Sequence, residues 1–261
     1  MARPAPTTIM PRYDFHSPRL YVEAALMSGH TLELDPAQTN YLRNVLRLRA
    51  GASVLVFNGR DGEWRATLAD RGKRALALAL GEQTRSQTTP LDLHYLFAPL
   101  KHARLDYMVQ KAVEMGASRL QPVLTRHTQV ARVNLERMQA NAIEAAEQCG
   151  ILTLPEIVAP IGLEQMLAER KPDRLLVFCD EDAEVKDPLA ALATVRPAAG
   201  SAPPPLAVLI GPEGGFAEDE RASLLRAPNL VRLALGPRIL RADTAAVAAL
   251  ALVGAVLGDW R

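Results

Sequence analysis

Two short apolar runs late in the chain, "LAVLI" at 206–210 and "LVRLAL" at 230–235, each feed straight into a Gly-Pro pair, Gly211-Pro212 and Gly236-Pro237. Apolar runs this short, with little polar alternation, suit buried parallel strands, and such strands need helices on both faces of their sheet. The chain after Pro90 supplies them. "LDLHYLFA", "RLQPVL" and "DRLLVFCD" read as further strands, with "ARLDYMVQKAVEMG" and "NLERMQANAIEAAEQCG" as helices among them. In the first helix Leu105, Met108, Val109, Ala112 and Val113 share one stripe, and Gly116 marks the stop. This alternation predicts a mostly parallel α/β sheet. Pro122 places its strand at an edge or marks its end.

Ahead of Pro90 the pattern changes to short strands, "HTLELD", "SVLVF", "EWRATLA" and "ALALAL". "NGRDG" between the second and third favours positive φ and a hairpin. One helix interrupts, in "PAQTNYLRNVLRLRAG", where Leu42, Val45 and Leu46 recur at helical spacing and Arg43 and Arg47 fall on another face. The expected organisation is a flexible N-terminal extension over 1–17, a small β-rich domain over 18–85, a linker at 81–90 and an α/β domain over 90–261.

Charge argues little by itself, since the net formal charge is +1. Residues 1–85 carry 12 Lys and Arg against 8 Asp and Glu, and the remainder 18 against 21, so a mild basic bias sits in the first third. Such a bias permits RNA contact without requiring it. The longest apolar run, 245–257, is too short and too alanine-rich for a membrane span and reads as a buried helix. Cys149 and Cys179 lack the spacing of a disulfide framework or a zinc site, so no metal and a cytoplasmic location are expected.

In open α/β sheets ligands bind beyond the carboxyl ends of strands, where the two Gly-Pro bends fall. Glycine admits close backbone approach and proline stiffens the turn. Neither bend is a GxGxxG or Walker loop, so nucleotide phosphate binding is not supported. "FAEDERASLL" after the first bend opens with acids suited to a helix N-terminus, and Asp243 or Thr244 is the expected cap after the second.

"LIGPEGGF" followed by "LALGPRILRADTA" resembles the bacterial 16S ribosomal RNA uridine-N(3) methyltransferases of the knotted SPOUT superfamily. "SPRLYV", "YLRNVLRLRAG", "VFNGRDGEW", "KHARLDYMVQKAVEMGA" and "EAAEQCG" extend the likeness, in order, over nearly the whole chain. The resemblance implies a small PUA-like β-barrel, then an α/β SPOUT domain with a deep trefoil knot. It further implies a homodimer that binds S-adenosylmethionine in the knot and methylates ring nitrogen three of a uridine in 16S ribosomal RNA of the small subunit. By matching position the donor pocket is Leu209, Ile210, Gly211, Glu213 and Gly214 with Leu235, Gly236, Ile239 and Leu240.

Methylating a protonated uracil nitrogen requires in-line placement and help with the proton or the developing anion. Arg238 and Arg241 are the catalytic candidates; His94, His102 and His127 stand open as proton acceptors. Arg19, Arg43, Arg47 and Arg49, with Lys101 and Arg126 nearer the active site, are the expected RNA contacts. The chain departs from the family pattern at Ala242-Asp243, Ile151, Thr39-Asn40 and Asn58. Alternative readings are a SPOUT enzyme acting on another RNA or on a ribose hydroxyl, and a catalytically silent RNA-binding protein.

Overall fold

The computed structural model describes residues 14, 16–72, 75–130, 132–198 and 200–260, so most of the expected extension lies outside the described residues. The chain divides into two units after Gln87.

The first unit is a five-stranded sheet in the order β1-β3-β4-β5-β2. β1 (Arg19–Tyr21) runs parallel to β3 (Ser53–Phe57). β3, β4 (Glu63–Asp70), β5 (Leu76–Arg85) and β2 (Thr31–Glu33) pair antiparallel. Two register shifts between β4 and β5 curl the sheet around Leu20, Leu42, Val54, Val56, Leu68 and Leu78. The β3–β4 turn forms at "NGRDG" as expected. Gly59 and Gly62 have φ of 82° and 78°, and Asn58 accepts from the Asp61 N–H at 2.8 Å while donating to Asp61 Oδ2 at 2.6 Å. β5 runs five residues into the expected linker, because 81–85 continue to pair with β4.

The interrupting helix differs from its helical reading. α1 (Pro36–Asn40) has a capping box at Asp35 and gives way to a π turn, Tyr41–Val45, closed by Leu46 N–H on Tyr41 O at 2.9 Å. The wider turn shifts the register, so Leu42 is buried while Val45 is 61% exposed. Arg47 follows at φ 55°.

The second unit is a parallel sheet in the order β12-β10-β11-β6-β7-β8, with β9 also on β7. Its strands are β6 (Leu93–Phe97), β7 (Arg119–Leu124), β8 (Glu156–Ile157), β9 (Ile161–Gly162), β10 (Leu175–Cys179), β11 (Leu206–Ile210) and β12 (Leu230–Leu233). Every residue of β11 is buried, as its unalternated sequence demands. β7 is internal, contrary to the edge expected from Pro122. β8 takes the Arg119 end and β9 the Leu124 end, so the proline falls in the gap between them, where no N–H is required.

α2 (His102–Glu114) buries the whole predicted stripe and stops at Gly116, φ 83°. α3 (Leu135–Cys149) is capped by Asn134 and ends on Gly150, φ 63°. α4 (Leu163–Glu169), α5 (Pro188–Ala193) and α6 (Glu218–Leu225) follow. β12 lies across β10 from β11, so the chain leaving β11 crosses β10 to reach the edge. The last helix, α7 (Ala242–Val256), then returns to pack on α2, α5 and β11. No helix among the described residues is long and apolar enough to cross a membrane.

Candidate functional site

The parallel strands deliver their C-terminal ends side by side, in the order β12, β10, β11, β6, β7. Both Gly-Pro bends leave from this edge, one from β11 and one from β12. With β10 between them they stand two strand spacings apart, about 10 Å. They are thus near neighbours straddling the end of β10.

The first bend is shaped from beneath. A Cβ on Gly211 would lie 2.4 Å from the Phe216 ring, which is braced edge-on against Phe178 at 5.3 Å, so only glycine fits there. Gly215, φ 70°, closes the turn with its N–H on Pro212 O at 2.9 Å. Glu220 reaches back to the Ala217 N–H at 3.0 Å and starts α6. Glu213 is ion-paired with Arg104 of α2, rather than with either arginine of the second bend. Leu209 and Ile210, expected to line the donor pocket, have side chains 0% and 3% exposed. They form a floor under the bend rather than a contact surface, because every β11 side chain is enclosed by the layers around the sheet.

The second bend is open. Gly236 has φ 92°, and a Cβ placed on it would meet nothing within 4 Å. Leu235 and Leu240 are half-buried, while Ile239 is 95% exposed. Among the described residues, the N–H groups of Leu235, Gly236 and Arg238 through Arg241 have no partner within the chain. A left-handed glycine beside free space, unspent backbone donors and an uncovered isoleucine are the features a cradle for a part-polar, part-apolar ligand needs. α7 begins at Ala242 with Arg241 at the cap position and no capping side chain. The expected cap at Asp243 or Thr244 is therefore two or three residues too late: Asp243 accepts from the Thr244 N–H at 2.9 Å inside the first turn. Arg238 and Arg241 are exposed, and neither side chain is hydrogen-bonded or ion-paired among the described residues.

Comparison with known proteins gives the family. An RNA methyltransferase domain family matches residues 87–254, and an RNA methyltransferase PUA domain family matches residues 34–80. A Rickettsia conorii protein named ribosomal RNA small subunit methyltransferase E is 32% identical over 236 residues, spanning 90% of this chain and 94% of that one. The chain belongs to the ribosomal RNA small subunit methyltransferase E family. A Synechocystis member is 33% identical over 92% of this chain and 78% of its own. The crystal structure of the Neisseria gonorrhoeae member bound to S-adenosyl methionine superposes with a TM-score of 0.82 at 29% identity, covering 94% of this chain and all of that one. A Legionella pneumophila methyltransferase with bound SAM gives 0.79 at 28% identity, covering 92% and 97%. The fold is accordingly the family's PUA-like barrel and knotted SPOUT α/β domain.

Several other residues singled out for this methyltransferase family fall differently in the structure. Arg19 is not a surface cation. Its side chain is 4% exposed, with Nε on Glu63 Oε2 at 3.0 Å and Nη2 on Asp14 O at 2.8 Å, so the expected RNA contact there is withdrawn. Arg43 is held by Asp70 and by the carbonyls of Gly72 and Ala75, and Arg126 by Asp219 at 2.6 Å. Arg47, Arg49 and Lys101 are exposed and have no ion pair among the described residues. His94 stands at the opposite end of the sheet, where burial depresses its pKa to about 4, Arg174 adding to the effect. His127 does reach the first bend: its Nδ1 lies 3.0 Å from Gly215 O, and a Cβ added at Gly214 would lie 3.4 Å from the His127 Cβ.

One buried group went unread in the sequence. Asp180, at the end of β10 between the bends, is 6% exposed and engages Arg221 and Arg232. The only trace it leaves is an acid directly following an apolar strand, a pattern common to many loops. Cys179 beside it is pushed up to about 12 by burial and the Asp180 charge, so its thiol is not a nucleophile.

Proposed function

We propose that this chain transfers a methyl group from S-adenosylmethionine to ring nitrogen three of a uridine in the 16S ribosomal RNA of the small subunit, acting as a cytoplasmic homodimer. The observation that carries this reading is the pair of bends straddling β10, one of them a left-handed glycine facing open space with unspent backbone donors. Membership of the methyltransferase family and the donor seen in the Neisseria relative support it. The donor, when bound, supplies an electrophilic methyl carbon on a sulfonium.

The chain's own residues then have distinct tasks. Gly211, Glu213 and Gly214 on one side, and Leu235, Gly236, Ile239 and Leu240 on the other, hold the donor; Leu209 and Ile210 stiffen the floor. Arg238 and Arg241 have uncommitted charge and stabilise the uracil anion or grip the adjoining phosphates. His127, whose Nδ1 donates to the Gly215 carbonyl, holds its ring beside the first bend with Nε2 left over as a proton acceptor; the side chain of His102, the other candidate near this edge, lies outside the described residues. Arg43, Arg47, Arg49, Lys101 and Arg126 bind the RNA backbone. The test is mass mapping of small-subunit RNA from cells lacking the gene: one uridine should lose its N3 methyl group, and an unchanged map overturns the proposal.

A further inference from the structure

Strand β10 ends between the two bends, and there Asp180 extends the ladder by donating its N–H to Leu233 O at 3.0 Å. Its carboxylate accepts from Arg221 Nη2 at 3.0 and 3.3 Å, from Arg232 Nε at 2.8 Å and from the Asp182 N–H at 3.1 Å. Arg221 lies on α6, the helix that follows the first bend. Arg232 lies on β12, three residues before Leu235, and its Nη2 also donates to Asp182 O at 2.5 Å. The Asp180 carboxylate therefore makes the shortest link between the segment leaving one bend and the strand entering the other, with Asp182 Oδ2 a further 3.8 Å from Arg221 Nη2. Burying a charge among two guanidiniums is a poor way to gain stability, since packed apolar groups serve as well. What the arrangement does provide is a fixed separation.

We propose that Asp180 is a positioning residue for donor binding: it holds Arg221 and Arg232 and through them sets the spacing of the two bends across β10. The inference rests on the reading of those bends as the donor cradle. Without the carboxylate the two arginines keep only the longer pairs, Arg221 with Asp182 at 3.8 Å and Arg232 with Glu184 at 3.6 Å, and α6 and the end of β12 shift apart while the sheet hydrogen bonds persist. Arg221 Nε is buried with no partner among the described residues, and of the two acids at its Nη2 Asp180, at 3.0 Å, is closer than Asp182, at 3.8 Å.

Asp180→Asn keeps the shape and removes the charge. It is expected to weaken donor binding by calorimetry and raise the donor KM by at least about tenfold, a part of what loss of one partner of a buried charge pair costs, since the effect on the bends is indirect. The RNA KM should stay unchanged. Arg232→Gln, which cuts the same contact from its partly exposed side, should act in the same direction, and the double variant should be no worse than Asp180→Asn alone. Asp180→Glu should recover part of the affinity. A lower melting temperature with unchanged donor affinity, or equal rises in both KM values, overturns the proposal. If Asp180→Asn does not fold, wild-type donor affinity in both Arg232→Gln and Arg221→Gln overturns it as well. Wild-type protein that binds no donor removes the cradle itself, whereas binding wild type with equally binding variants removes only the role of Asp180.

Discussion

Gly236→Ala tests the second bend by a route that packing cannot confuse. The added Cβ meets nothing within 4 Å, so no clash contributes, and the whole cost is the left-handed φ of 92°. An L residue there is disfavoured by roughly 1–2 kcal/mol. The bend is exposed and its N–H groups are bonded to nothing else among the described residues, so little holds it in the strained form. It should relax toward an extended φ, carrying Arg238 and Ile239 with it. Donor binding must then restore the native bend, and that roughly 1–2 kcal/mol appears as an affinity about 5- to 30-fold weaker. Gly236→Val should be worse, because its branches enter the cradle. Calorimetric titration with S-adenosylmethionine, paired with thermal melting of the free protein, separates binding from folding. Wild-type affinity in both variants would refute the assignment of this bend to the donor.

Gly62→Ala should destabilise the first unit by more than about 2 kcal/mol by urea titration, since positive φ is compounded by a Cβ only 2.3 Å from the Arg85 carbonyl oxygen; a neutral effect contradicts the turn geometry. His94 is held at about 4 against an ordinary 6.5, so as pH falls the unfolded chain takes up the proton first. Its contribution is therefore full above about pH 6.5 and is lost as pH drops toward 4; in urea titrations across that window wild type should lose more stability than His94→Gln, and parallel losses contradict the shift. Arg241→Ala should lower kcat more than it weakens donor binding, and equal losses would show that the arginine acts on the donor. RNA affinity should fall with salt at a log–log slope of about -3 if roughly four phosphates are contacted, whereas a slope near zero removes the backbone contacts.

The sequence was informative where a local rule had no competitor. The stripe Leu105, Met108, Val109, Ala112 and Val113 is buried in full, and the runs leading into both Gly-Pro bends are parallel strands opening on one edge. It misled where tertiary context decided. Pro122 is tolerated inside the sheet because two short strands leave a gap opposite it, which no local pattern announces. Val45 is exposed because a π turn altered the helical period within five residues. Arg19 has the composition of a surface contact, yet it is buried by Glu63, 44 positions away. Asp180 is the deepest omission, since its partners at 221 and 232 become neighbours only once β12 has crossed β10.

The most direct test supplies purified protein with methyl-labelled S-adenosylmethionine and small-subunit RNA from cells lacking the gene, then digests the RNA to nucleosides. Label should appear in N3-methyluridine, at one site. Label on a ribose hydroxyl or on another base, or none transferred by protein that binds the donor, contradicts the account.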